Sequence, residues 1–207
     1  MSDIGSVGQR VTAGLVALVG WVGMLVQLDA SIGLASSVSG AIWTMLLFFT
    51  IIANLLAAIV LTGIALGRQS FAAPVLIGGV VIAMLLVGVV YALLLRGLLE
   101  LSGGAALADL LLHSVTPVLV PLYWLLLVPK GGMTWRDPFV WAGLPVLYFV
   151  YALARGAIEG RYPYPFMNVA QIGWGATLTN ALAMAAGFLM TGFLLVWLDG
   201  RLARNRG

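Results

Sequence analysis

The sequence predicts an all-α integral membrane protein with six transmembrane helices and both termini in the cytoplasm. Three observations predict it. Of 207 residues, 62% are hydrophobic and only 8% charged, whereas a soluble domain carries roughly a quarter charged residues. The apolar residues fall in continuous runs without the period-two alternation of an outer-membrane barrel. The basic residues fall near the ends of those runs, unevenly between the two sides, as orientation signals do.

In chain order, the first span covers about 11–27. Arg10 precedes it, and no small-residue cleavage site comes before Asp29, so it reads as a retained helix rather than a signal peptide. Gly and Ser dominate 31–40, which reads as a linker or a short re-entrant loop. The second span covers 41–66, and a tight Gly67-Arg68-Gln69-Ser70 connection follows. The third covers 71–95, with Pro74 in its first turn, where a missing amide costs little. The fourth covers 105–128 and ends at Pro129-Lys130-Gly131-Gly132. The fifth covers 138–154, with Trp135 and Trp141 flanking its entry at interface depth. The sixth covers 172–198. Each approaches the ~20 residues that a bilayer core requires. The chain is one domain, 1–207, without an internal repeat, and its 26 glycines suit close helix packing in lipid.

Six spans put both termini on one side. That side collects Arg10, Arg68, Lys130, Arg136, Arg201, Arg204 and Arg206, seven basic residues, against Arg96, Arg155 and Arg161 on the other. The positive-inside rule makes the richer side cytoplasmic. A net charge of +3 gives no reason to expect nucleic acid. With no cysteine, one histidine and few acids, neither a thiolate centre nor a dedicated metal site is expected, and no cofactor is called for.

The lone histidine, His113, lies inside the fourth span with Pro117 four residues later. Proline cannot donate to the carbonyl of residue 113, so the helix should loosen there. An ionisable group at that depth is either a functional group or polar glue between helices. Thr50 and Asn54 share one face of the second span. Thr50 lies about nine residues into its span and His113 about eight into a parallel one, so their depths differ by a few Å. If those spans touch, hydroxyl and imidazole could meet as nucleophile and base. A threonine bonded back to its own helix is the plainer alternative. Asp109, four before His113, could orient the ring as a triad acid does, or simply favour the helix start. Asn54 and Asn180 could donate to an oxyanion or join helices. The stretch 155–168 holds Arg155 and Glu159 at pairing distance, then Tyr162, Tyr164 and Phe166 among prolines, then Asn168. It could be a lid over a cavity or an interfacial anchor. Trp124, Tyr148 and Tyr151 read as packing or belt residues.

His113 with Pro117 and Trp124, then Lys130, Arg155-Gly156 and Tyr162-Pro163-Tyr164-Pro165-Phe166, resembles the androgen-induced family of six-span membrane threonine hydrolases, in its prokaryotic branch. The resemblance runs from the second span to the Tyr-Pro loop. It implies an intramembrane hydrolase in a bacterial inner membrane, acting on fatty acid esters of hydroxy fatty acids or related lipids. It makes Thr50 the nucleophile and His113 the base. The family usually has an acid where this chain has Asn168, so a carboxylate role there is lost. The rival expectations are a non-enzymatic lipid- or small-molecule-binding protein, a transporter, and a haem protein using His113. Against a secondary transporter, the chain is short and shows no inverted repeat.

Overall fold

Proline and glycine mark many of the points where the helices of this chain start and stop. In the computed structural model, residues 6–35, 37–98 and 100–204 are described, so Arg206 of the basic count lies outside them. Among them the structure is helical: α1 Val7–Ala35, α2 Val38–Met45, α3 Phe49–Ala65, α4 Pro74–Val90, α5 Gly103–Leu110, α6 Thr116–Leu127, α7 Asp137–Glu159 and α8 Val169–Arg204. A π-helical turn, Tyr91–Leu95, extends α4, and another, Leu111–Val115, joins α5 to α6 as one membrane-length segment. Five segments are long and apolar enough to cross a membrane, and the α2–α3 pair makes a sixth if counted as one.

Two boundaries differ from those expected. The Gly/Ser stretch 31–40 is mostly helical: α1 runs on to Ala35 and α2 starts at Val38, with the Ser37 hydroxyl accepting from the Gly40 amide as an N-cap. The 41–66 segment is not one straight helix. It breaks at residues 46–48 and α3 leaves α2 at 96°. Phe48, extended at φ −98° and ψ 131°, starts α3 without a side-chain cap. The sequence gives little warning, since 46–48 is Leu-Leu-Phe, without glycine or proline. Elsewhere the punctuation holds: Pro74 is at the start of α4, and Gly160, at φ 69°, ends α7.

Small residues set the spacing of α1 and α3. A Cβ on Gly14 or Gly20 would stand 3.5 Å from Ala65 or Ala58, so the backbones approach closely. Trp21 Nε1 donates to the Thr62 hydroxyl at 3.1 Å across this seam. α4 packs in turn on α3, α6, α7 and α8. Trp141, expected at the interface, is instead buried against α4, with Nε1 donating to the Val75 carbonyl at 2.7 Å and the ring covering Gly78 and Gly79.

Contacts fix which ends lie together. Arg10 Nε reaches the Ala65 carbonyl, Gln9 reaches that of Leu127, and Asp199 accepts from the amides of Gly131 and Met133. The start of α1, the end of α8 and the connections after α3 and α6 therefore share one end of the bundle. At the other end Trp43 of α2 donates to Glu159 at the end of α7.

Gly78→Ala would place a Cβ about 2.3 Å from a ring carbon of Trp141, whose indole is buried and held by its bond to the Val75 carbonyl. It is expected to destabilise the protein by about 1–3 kcal/mol. Gly143→Ala in α7, where nothing lies within 4 Å, should be neutral or slightly stabilising. Thermal unfolding of the two variants in detergent compares them.

Candidate functional site

Pro117 is the starting point, because it has no amide to give. The helix before it widens into the π-turn 111–115, and the amide of Thr116 reaches the Leu111 carbonyl. In that widened register the carbonyl facing Pro117 belongs to Leu112. Two side chains supply what proline lacks. Asn54 Nδ2 on α3 donates to the Leu112 carbonyl at 3.0 Å and to that of Thr50 at 2.9 Å. The Thr116 hydroxyl donates to Asn54 Oδ1 at 2.5 Å. The expected loosening is present, and its wider register carries His113. The contact between the second and fourth spans, left open by the sequence, is made by Asn54, which serves as a bridge between backbones.

His113 has two neighbours from the sequence and the fold. Its Nδ1 lies 3.0 Å from Asp109 Oδ1, a close contact that falls short of hydrogen-bond alignment. The other carboxylate oxygen accepts a short hydrogen bond from the Tyr91 hydroxyl. The Tyr91 ring stacks on the imidazole with centroids 4.6 Å apart and planes 21° apart. Tyr91 stands on the π-turn at the end of α4 and His113 on the one before α6, so two irregular turns meet in this cluster. Tyr91 was not anticipated; an aromatic near a span end gives no sign that it will cross to a histidine.

Thr50 is the second residue of α3, so the break before it changes its chemistry. The hydroxyls of Thr62, Thr177, Thr179 and Thr191 each donate to the carbonyl four residues back. Thr50 makes no such bond among the described residues, because the chain four residues earlier has turned away. The amides of Phe49 and Thr50, the first two of α3, have no backbone acceptor. The phenol oxygen of Tyr164 faces both amides, the Thr50 hydroxyl and the phenol of Tyr148. Burial pushes the Tyr164 phenol above its ordinary range, so it enters as a neutral hydroxyl. Tyr148 donates to the Leu47 carbonyl at 2.8 Å, satisfying one group freed by the α2–α3 break. Tyr148, read from sequence as packing, belongs to this site.

Thr50 opens on an apolar cavity of about 510 Å³ between α3, α4, α7 and α8. Its walls include Val87, Phe149, Leu178 and Phe188, together with Tyr164 and Phe166 of the Tyr-Pro loop. The size suits a small-molecule or acyl-chain site. Of the Tyr-Pro stretch, Tyr164 and Phe166 line the cavity, stacked 5.1 Å apart, and Asn180 Nδ2 fixes the loop by donating to the Phe166 carbonyl at 2.9 Å. Asn180 is thus an interhelical tie. Arg155, Tyr162 and Asn168 do not line it. Arg155 bonds Glu159 and Tyr151 at 2.7 Å each and lies 4.0 Å from the centre of the Trp43 ring, joining α2 to α7. Tyr162 packs on Gly156, and Asn168 Oδ1 is buried without a partner among the described residues.

The structure therefore forms two polar clusters, Thr50 with Tyr164 and Tyr148, and His113 with Asp109 and Tyr91, with Asn54 bonded to the carbonyls of Thr50 and of Leu112, the residue before His113. His113 does not line the cavity, and the side chains of Thr50 and His113 are not hydrogen-bonded to one another. No group of three metal-ligating side chains occurs among the described residues. No family model, curated protein or solved structure matches the chain.

Asn54→Leu would remove the amide that donates to the Leu112 carbonyl, at about 1–3 kcal/mol for a buried group left unpaired, while the Thr116 hydroxyl keeps the Leu111 carbonyl as acceptor at 2.9 Å. Denaturant unfolding should show a markedly lower midpoint than for Asn180→Ala, which removes one partly buried bond.

Proposed function

We propose that the chain is a lipid-ester hydrolase acting within the bilayer, with Thr50 as nucleophile and His113 as general base. The observation that carries the reading is the Thr50 hydroxyl, beside two amides without a backbone acceptor at the start of a broken helix and on the wall of an apolar cavity. The resemblance to the androgen-induced threonine hydrolases supports the same assignment. A long acyl chain partitions into lipid, would enter from the side, and would lie in the cavity with its carbonyl at Thr50.

In this reaction the Thr50 oxygen bonds to the ester carbonyl carbon and its proton passes to His113. The amides of Phe49 and Thr50 stabilise the oxyanion. Collapse breaks the bond to the alcohol oxygen, which takes the proton from His113. Water then attacks the acyl-threonine with the same base, so one ester and one water give one acid and one alcohol. Asp109, held by Tyr91, orients the imidazole. The Tyr164 phenol occupies the place by the amides where the carbonyl oxygen would sit, so the ester displaces it and the imidazole turns toward Thr50.

A second reading has its own observation. Tyr164 covers Thr50 and the cavity wall is almost wholly apolar, as in a protein that binds a lipid without cleaving it. A fluorophosphonate probe separates the two. It should label the wild type, fail on Thr50→Ala, and label His113→Gln roughly 100-fold more slowly or worse. Equal labelling of wild type and Thr50→Ala would overturn the threonine assignment.

We also assign the basic end of the bundle to the cytoplasm of a bacterial cell, by the excess of Arg and Lys there. The chain has no cysteine, so single introduced thiols report cleanly. A membrane-impermeant maleimide should reach Arg161→Cys in intact spheroplasts and Ser70→Cys only after permeabilisation. The reverse pattern would invert the orientation.

A further inference from the structure

We infer that the corner where α7 begins and α8 ends binds the headgroup of an anionic phospholipid. A depression of about 320 Å³ lies there, lined by Met133, Trp135, Trp197, Gly200, Arg201 and Arg204. It is at the opposite end of the bundle from the Tyr-Pro loop and shares no residue with the cavity at Thr50.

Three features point to that ligand. The first is unspent positive charge. Arg201 and Arg204 stand one helical turn apart at the end of α8, both exposed, and neither has a carboxylate partner among the described residues. The acids nearby are already engaged. Asp199, fully buried, accepts from the amides of Gly131 and Met133 at 2.8 and 3.0 Å. Asp137 accepts from the amide and hydroxyl of Thr134 at 2.9 and 2.8 Å. Guanidinium groups left without acids match a phosphodiester, which they can grip in a planar fork.

The second is aromatic framing. Trp135 and Trp197 are 59% and 46% exposed, and the Arg201 guanidinium lies 5.3 Å from the Trp197 ring centre. Tryptophan is favoured where headgroups meet acyl chains, and the cation–ring contact sets the arginine at that level.

The third is a path for the chains. Trp135 and Phe139 both pack on Phe193, at 6.1 and 5.5 Å, and Leu194 beside it is exposed. An apolar strip thus runs from the depression along the outer faces of α7 and α8. A soluble phosphate would use the arginines and leave this strip idle; a phospholipid uses both. The end concerned is also the basic one, where an anionic leaflet would lie.

The test is native mass spectrometry of the full protein, released from an uncharged detergent. Phosphatidylglycerol and phosphatidylcholine of identical acyl chains are compared, with inorganic phosphate as competitor. Phosphatidylglycerol should be retained in preference. Arg201→Gln with Arg204→Gln should weaken its binding roughly 30-fold, and the single Arg204→Gln roughly 5-fold, at about 1 kcal/mol per basic residue. The single variant stands in if the double one fails to fold. Equal retention of phosphatidylcholine, or binding unchanged in the variant that folds, would overturn the proposal. Displacement of the lipid by millimolar inorganic phosphate would overturn it too, by assigning the arginines to a soluble anion. Fluorophosphonate labelling at Thr50 plays no part in this result, so the two proposals fail separately.

Discussion

A backbone carbonyl buried among apolar helices must find a donor, and Pro117 withholds one. Much of the arrangement around His113 follows from that debt. The chain widens to a π-turn, the Leu112 carbonyl turns toward α3, and Asn54 meets it. Because Asn54 also holds the Thr50 carbonyl and accepts from Thr116, one amide side chain ties three backbone neighbourhoods together. In lipid such bonds have no water to fall back on. The helix pair that brings Thr50 into the vicinity of His113 is thus held by polar necessity, with Leu112 and Ile51 packing around it.

The bend between α2 and α3 poses the same problem and has a different solution. There the freed groups are partnered by tyrosines: Tyr148 takes the Leu47 carbonyl, and Tyr164 faces the amides of Phe49 and Thr50. Both tyrosines come from the far side of the bundle, one from α7 and one from the loop after it. The cavity lies in the space they bridge, so its polar end is made from repairs to a broken helix.

The sequence revealed an all-helical chain with five or six segments long and apolar enough to cross a membrane, and the loosened helix at His113, because composition, run length and proline each act locally. It placed Asp109 beside His113 for the same reason, since four residues make one helical turn. It did not reveal the α2–α3 bend, which has no glycine or proline to mark it and which tertiary contacts impose. Missing that bend, it read Thr50 as a mid-helix residue. Tyr91, Tyr148 and Thr116 were missed because their roles depend on which helices touch. The Tyr-Pro stretch was legible as one feature and is two in the fold: Tyr164 and Phe166 turn inward, while Arg155 and Tyr162 brace the end of α7.

Asp199 has a bearing on biogenesis. It belongs to α8, and it caps the amides of a connection synthesised some seventy residues earlier. Until α8 is inserted, the 131–133 turn lacks its acceptor and the cavity lacks a wall. The segments before α8 are made first, but the chamber at Thr50 exists only once α8 has been added. A product stopped before α8 would therefore leave the flank formed by Thr177, Leu178 and Phe188 open.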